Sequence, residues 1–92
     1  MITAIVMINC EVDSISEAAV AITEIPGVSK VYSVTGDVDL VAVLELADYQ
    51  DLAQVVTDGI AKVAGVEKIG THLAFRTYSA GELEQAFQLG LD

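Results

Sequence analysis

A short phrase is written twice in this chain. Gly27-Val28-Ser29-Lys30-Val31 returns as Gly65-Val66-Glu67-Lys68-Ile69. Each copy follows a segment whose apolar residues recur at helical spacing, and each opens a run that reads as a strand. A nearly unbroken apolar run precedes each helical segment: Thr3 to Asn9 in the first half, Leu40 to Leu46 in the second. The chain therefore reads as β-α-β followed by β-α-β. Right-handed crossovers put both helices on one face of a single four-stranded antiparallel sheet. That is a ferredoxin-like α+β fold, with the first and third strands central and the second and fourth at the edges. Residues 1–92 make one domain, with no linker or low-complexity run between the halves.

The punctuation agrees with this order. Ser14-Ile15-Ser16-Glu17 fits a capping box, and Ile15, Ala18, Ala19, Ile22 and Ile25 follow on one helical face. Pro26-Gly27 ends that helix. Asp48 is the expected cap of the second helix, whose inner stripe is Leu52, Val55, Val56, Ile60 and Val63. Gly59 falls on the same stripe and is expected to let the helix approach the sheet. Val66 to Tyr78 is the longest strand candidate, and Ser79-Ala80-Gly81-Glu82 opens a short C-terminal helix running to the region of Gly90.

Two helices cover only one face of a sheet, yet both faces of the central strands are apolar. On the first strand Ala4, Val6 and Ile8 alternate with Ile5 and Met7; on the third, Leu40, Ala42, Leu44 and Leu46 alternate with Val41 and Val43. A sheet wetted on one side should alternate apolar with polar. A chain this short buries only about 60% of the surface it exposes when unfolded. Here 53% of the residues are hydrophobic, and mean hydropathy is +0.57. The simplest cover for the second face is another copy, giving a homodimeric α+β sandwich or barrel, with Tyr32, Phe75 and Tyr78 contributing to the seam.

Charge excludes several functions. Four basic residues stand against 14 acidic ones, for a net charge of −10 and a pI near 4.1. No basic footprint exists for phosphates, so direct nucleic-acid binding and anionic membrane surfaces are not expected. No run approaches the ~20 apolar residues of a membrane span. The single cysteine, Cys10, reads as a small apolar filler in a reducing, cytoplasmic setting. One histidine, His72, and one cysteine do not make a transition-metal site, and no base stands beside a serine or threonine in a recognisable nucleophilic set. Neither a cofactor nor an enzymatic activity is expected.

The polar feature left over is the joint between the halves, Thr35-Gly36-Asp37-Val38-Asp39. One reading is a plain hairpin, in which glycine takes a positive φ and aspartate bonds its own backbone. The other is a binding loop. Backbone amides beside Gly36 hold a carboxylate, Asp37 or Asp39 pairs with an ammonium, and Thr71 on the last strand adds a hydroxyl. That set suits a free amino acid.

Ile25-Pro26-Gly27-Val28, then Thr35-Gly36-Asp37-Val38-Asp39-Leu40, then Ala64-Gly65-Val66-Glu67-Lys68 leading to Thr71, give an order and spacing that resembles the effector-binding (RAM) domain of the Lrp/AsnC transcription regulators. The resemblance covers essentially the whole chain. It implies a ferredoxin-like domain that dimerises through its sheet, often assembles into octameric rings, and takes a small effector, usually an amino acid, through the glycine loop. It points to Gly36 and Asp39 first, with Asp37 and Val38 lining the loop and Thr71 nearby. Ile69 and Val38 stand where the family often has threonine and tyrosine. No helix-turn-helix precedes the first strand, so the resemblance is to a stand-alone form that binds a metabolite or co-assembles with full-length regulators without touching DNA. Two rivals share the topology: a cofactor-free dimeric monooxygenase or isomerase, which would need a buried His72 beside an enclosed pocket, and an ACT-like amino-acid sensor.

Overall fold

Four strands form one antiparallel sheet in the order β2-β3-β1-β4, with two helices on one face. The elements are β1 (Ile2–Cys10), a 3-10 turn (Val12–Ser14), α1 (Ile15–Thr23), β2 (Val28–Ser33), β3 (Leu40–Leu46), α2 (Asp51–Val56), a second 3-10 turn (Ile60–Lys62) and β4 (Val66–Ala74). The protein is described by a computed structural model over residues 1–80. The expected C-terminal helix therefore lies outside the described residues, and the last strand ends at Ala74, short of Tyr78.

The sequence repeat is a structural repeat. Gly27 and Gly65 both have positive φ, at 101° and 92°. The carbonyl of Gly27 accepts from the Glu45 amide at 2.9 Å, and that of Gly65 from the Glu11 amide at 2.8 Å. The same register slip follows each glycine. Val28 pairs with Leu44 and Lys30 with Val43, leaving Ser29 extra; Val66 pairs with Cys10 and Lys68 with Asn9, leaving Glu67 extra. A bulge adds one residue and re-aims those that follow. Here each bulge brings a lysine, Lys30 or Lys68, onto the face away from the helices.

The helix-side face is the core. Ala4, Val6, Ile8 and Cys10 from β1 and Leu40, Ala42, Leu44 and Leu46 from β3 are buried beneath Ala18, Ile22, Val55 and Ile60. Register sorts the opposite face: Ile5 stands between Val43 and His72, and Met7 between Val41 and Gly70. Ile5, Met7, Val41 and Val43 are only half-buried. None of the fully buried residues among those described lies on that face. The expectation of two apolar faces, one of them open in the protomer, matches the coordinates.

Three local expectations are corrected. Ser14 makes no capping bond at the start of α1. Its side chain packs on Gly65 instead, so close that a Cβ built there would stand 2.4 Å from Ser14 Cβ. Asp48 acts before α2 rather than at its cap: its Oδ1 accepts from the Gln50 amide at 3.0 Å, and Gln50 occupies the N-cap. Finally, α2 stops at Val56 and the stripe resumes in the second 3-10 turn. The tight spot at Gly59 is not against the sheet. A Cβ there would meet the Val55 carbonyl at 2.4 Å and Ile25 Cγ2 at 3.2 Å.

Candidate functional site

The loop between β2 and β3 is tied down at both ends and open in the middle. The Val34 amide donates to the Asp39 carbonyl at 3.1 Å, and the Asp39 amide donates to the Ile8 carbonyl at 2.9 Å, which extends the sheet to the edge of the loop. Gly36 turns the chain at φ 111°, a region that side chains rarely adopt, and a Cβ there would meet nothing within 4 Å. Gly36 and Asp37 are exposed; Val38 and Asp39 are half-buried. No hydrogen bond within the described residues uses the amides of Gly36, Asp37 or Val38. The loop thus offers a short run of unclaimed donors beside an exposed carboxylate, that of Asp37.

The carboxylate of Asp39 has a structural task. Its Oδ2 accepts from the Cys10 amide at 2.8 Å, capping the end of β1. A second tie comes from Asn9, whose Nδ2 donates to the Asp37 carbonyl at 2.8 Å. Asn9 was not signalled by the sequence: its partner is a main-chain oxygen, which any residue supplies. A polar side chain closing an otherwise apolar strand is the trace it leaves. The structure brings Gly36, Asp37, Val38 and Asp39 together around the end of β1. It does not bring Thr71 to them within one chain. Thr71 pairs with Val6, two rungs short of the Ile8–Leu40 rung, and β1 separates it from β3. It shares the helix-side face with Val6 and is exposed there.

Other chemistry is sparse. Cys10 is buried, and its thiol pKa is raised, first by burial and then by the negative charges of Asp39 and Glu67. That holds the thiol protonated and unreactive at neutral pH. His72 lies exposed on β4 beside Ile5. No group of three or more metal-ligating side chains occurs among the described residues. No helix there is long and apolar enough to cross a membrane. A cleft of about 500 Å³ lies between Gly27, Leu46 and α2, with Glu45, Asp51 and Asp58 at its wall. It sits at the opposite end of the sheet from the Gly36 loop. Its counterpart in the first half is the place where Ser14 fills the space over Gly65.

A family model for the Lrp/AsnC ligand binding domain matches residues 3–83. The chain belongs to this family. A solved structure from Thermus thermophilus, TTHA0845, is 48% identical, with 86% of this chain and 99% of that one covered and a TM-score of 0.82. AsnC of E. coli is 13% identical, with 85% of this chain and 53% of AsnC covered and a TM-score of 0.79. The Neisseria meningitidis transcriptional regulator NMB0573, solved as an L-Met complex, is 16% identical, with 85% of this chain and 52% of that one covered and a TM-score of 0.76. At those two identities the likeness is one of fold. The chain spans about half the length of these two regulators. Comparison with curated proteins gave no match. The Lrp/AsnC assignment agrees with the resemblance carried by the glycine loop and the doubled Gly-Val phrase.

Proposed function

We propose that this Lrp/AsnC domain is a regulatory module that pairs through its open sheet face and takes up a free amino acid at the Gly36 loop. The observation that carries the reading is the run of unclaimed amides at Gly36, Asp37 and Val38 next to an exposed Asp37 carboxylate. Amides in a turn hold an anion, and a carboxylate close by holds a cation. An α-amino acid presents both charges within one small molecule. In this reading Asp37 meets the ammonium, Asp39 and Val38 shape the loop, and Thr71 reaches a ligand from a neighbouring copy. The L-Met complex of the Neisseria regulator supports the ligand class.

Pairing is supported by the half-buried patch of Ile5, Met7, Val41 and Val43, which nothing among the described residues covers. Tyr32, half-exposed beside Val41, extends it. Assembly of pairs into a ring, or with longer regulators of the family, follows the family pattern. The net charge of −10 supports action through partners rather than direct contact with DNA. A single free cysteine supports a reducing, cytoplasmic home. An exposed His72, away from the cleft, supports a binding role over catalysis.

A thermal-shift panel of the twenty standard amino acids tests the ligand. A ligand that binds only the folded state raises Tm by mass action. At least one amino acid should do so, and Asp37→Asn should abolish the shift while leaving the unliganded Tm within a few degrees. Asp39→Ala should lower both, because it also uncaps β1. Failure of all twenty to shift Tm, or a shift that survives Asp37→Asn, refutes the loop as the site.

A further inference from the structure

The two ties on the Gly36 loop come from adjacent residues of β1 but report on different surroundings. The Cys10 amide belongs to the strand end above the core. Asn9 follows Ile5 and Met7 at the two-residue spacing of a strand, so its side chain stands on the open face. It is half-buried at the rim of the apolar patch, opposite Lys68. From there its Nδ2 reaches the Asp37 carbonyl at 2.8 Å. One side chain thus stands on the face of the patch that needs a cover and bonds the residue that carries the free amide and carboxylate.

We propose that Asn9 is the positioning residue that couples sheet pairing to the shape of the Gly36 loop. The inference rests on the reading of that loop as the ligand site and of the open face as the pairing face. Covering the patch removes water from the Asn9–Asp37 bond, and a bond shielded from water is electrostatically stronger. The Asp37 carbonyl is then fixed, and with it the direction of the neighbouring amides. The effect runs both ways. Whatever orders the loop also holds Asn9 against the rim and favours the paired state, since coupling between two equilibria is reciprocal. A ligand bound at the loop would therefore tighten the pair without touching the seam.

Two variants separate this from a local contact. Asn9→Leu keeps the shape and removes the donor; Asn9→Gln keeps a donor. Each is followed by hydrogen exchange of the Val34 and Asp39 amides, whose bonds tie the loop to the sheet, and by the rate at which two differently labelled pools of the protein swap subunits. The Asn9–Asp37 bond is exposed in the single chain, and loss of one hydrogen bond that pairing shields corresponds to roughly a 2- to 10-fold change in an equilibrium. Asn9→Leu should raise loop exchange and subunit swapping by that factor together, and Asn9→Gln should restore both to within about twofold of the parent, as expected where the donor itself carries the effect. A rise in loop exchange alone overturns the coupling, as does no change in either rate or equal losses in both variants. The amino-acid panel on the parent protein is read separately. No Tm shift there, with both Asn9→Leu effects present, sinks the ligand reading and leaves the coupling standing.

Discussion

Alanine at Gly65 and alanine at Gly36 should differ in cost for a reason visible in the coordinates. Both glycines hold positive φ, 92° and 111°. For any other residue that conformation costs about 1–2 kcal/mol. At Gly36 nothing more is added, because the space around a Cβ is open to 4 Å. At Gly65 the Cβ would lie 2.4 Å from Ser14 Cβ and 3.0 Å from its Oγ. The Cβ is fixed to the backbone and cannot swing away, so the 3-10 turn must shift, at an overpacking cost of about 1–3 kcal/mol more. The expected totals are about 1–2 kcal/mol for Gly36→Ala and about 2–5 kcal/mol for Gly65→Ala, against about 5–15 kcal/mol for a domain of this kind. Urea unfolding at one fixed protein concentration measures both, since association shifts apparent stability. A double-mutant cycle isolates the clash. Ser14→Gly removes the opposing atoms, so the double variant should recover the steric part, a coupling of about 1–3 kcal/mol. Equal costs at the two glycines, or simple additivity in the cycle, would refute the packing argument and with it the account of why Ser14 fails to cap α1.

Two further outcomes are expected. Val41→Asp places a carboxylate in the centre of the open face, and in a twofold pair it acts twice. Sedimentation at micromolar concentration should show a folded monomer, because the buried core lies on the other face; a persistent dimer would move the seam elsewhere. The Cys10 thiol pKa is raised in the fold above its ordinary value of 9.0. The unfolded chain therefore ionises first as pH climbs, so stability is full at neutral pH and falls between the ordinary and the raised value. Cys10→Ala should flatten this part of the alkaline stability profile, and an unchanged slope from about pH 8 to 10 would assign the loss to other groups.

Strand order and the two apolar faces were legible because they depend on period and composition. Thr3 to Asn9 and Leu40 to Leu46 admit few other readings. What escaped was decided by distant contacts. The Ser14–Glu17 spacing is that of a capping box, but Ser14 is claimed by Gly65 from the other half of the chain. The second apolar stripe runs through Gly59 without a break in period, yet the backbone turns there, at φ −112° and ψ −80°. The bulges at Ser29 and Glu67 leave no mark of their own, although they set the face of Lys30 and Lys68. At the candidate site the loop itself was visible in Gly36 and Asp37. The work of Asp39 as a cap on Cys10 was not, because its partner is a backbone amide.

The repeat also gives a reason for the site to be where it is. β1-α1-β2 and β3-α2-β4 duplicate a glycine turn, a bulge and a backbone bond from the glycine carbonyl to the end of the adjacent central strand. Residues under that constraint serve the fold twice over, and change in one half disturbs a geometry matched in the other. The segment 34–39 has no duplicate among the described residues. It joins the halves, and its counterpart would link the end of β4 to the start of β1, a connection that one chain does not make. Its amides owe nothing to a strand ladder between Gly36 and Val38. The loop is therefore free to carry polar groups chosen for a ligand, while Asn9 and Cys10 hold it to the central strand. By this argument, alanine substitutions that alter ligand binding without altering stability should concentrate at Thr35, Asp37 and Val38, and a scan that scattered them evenly over both halves would undo it.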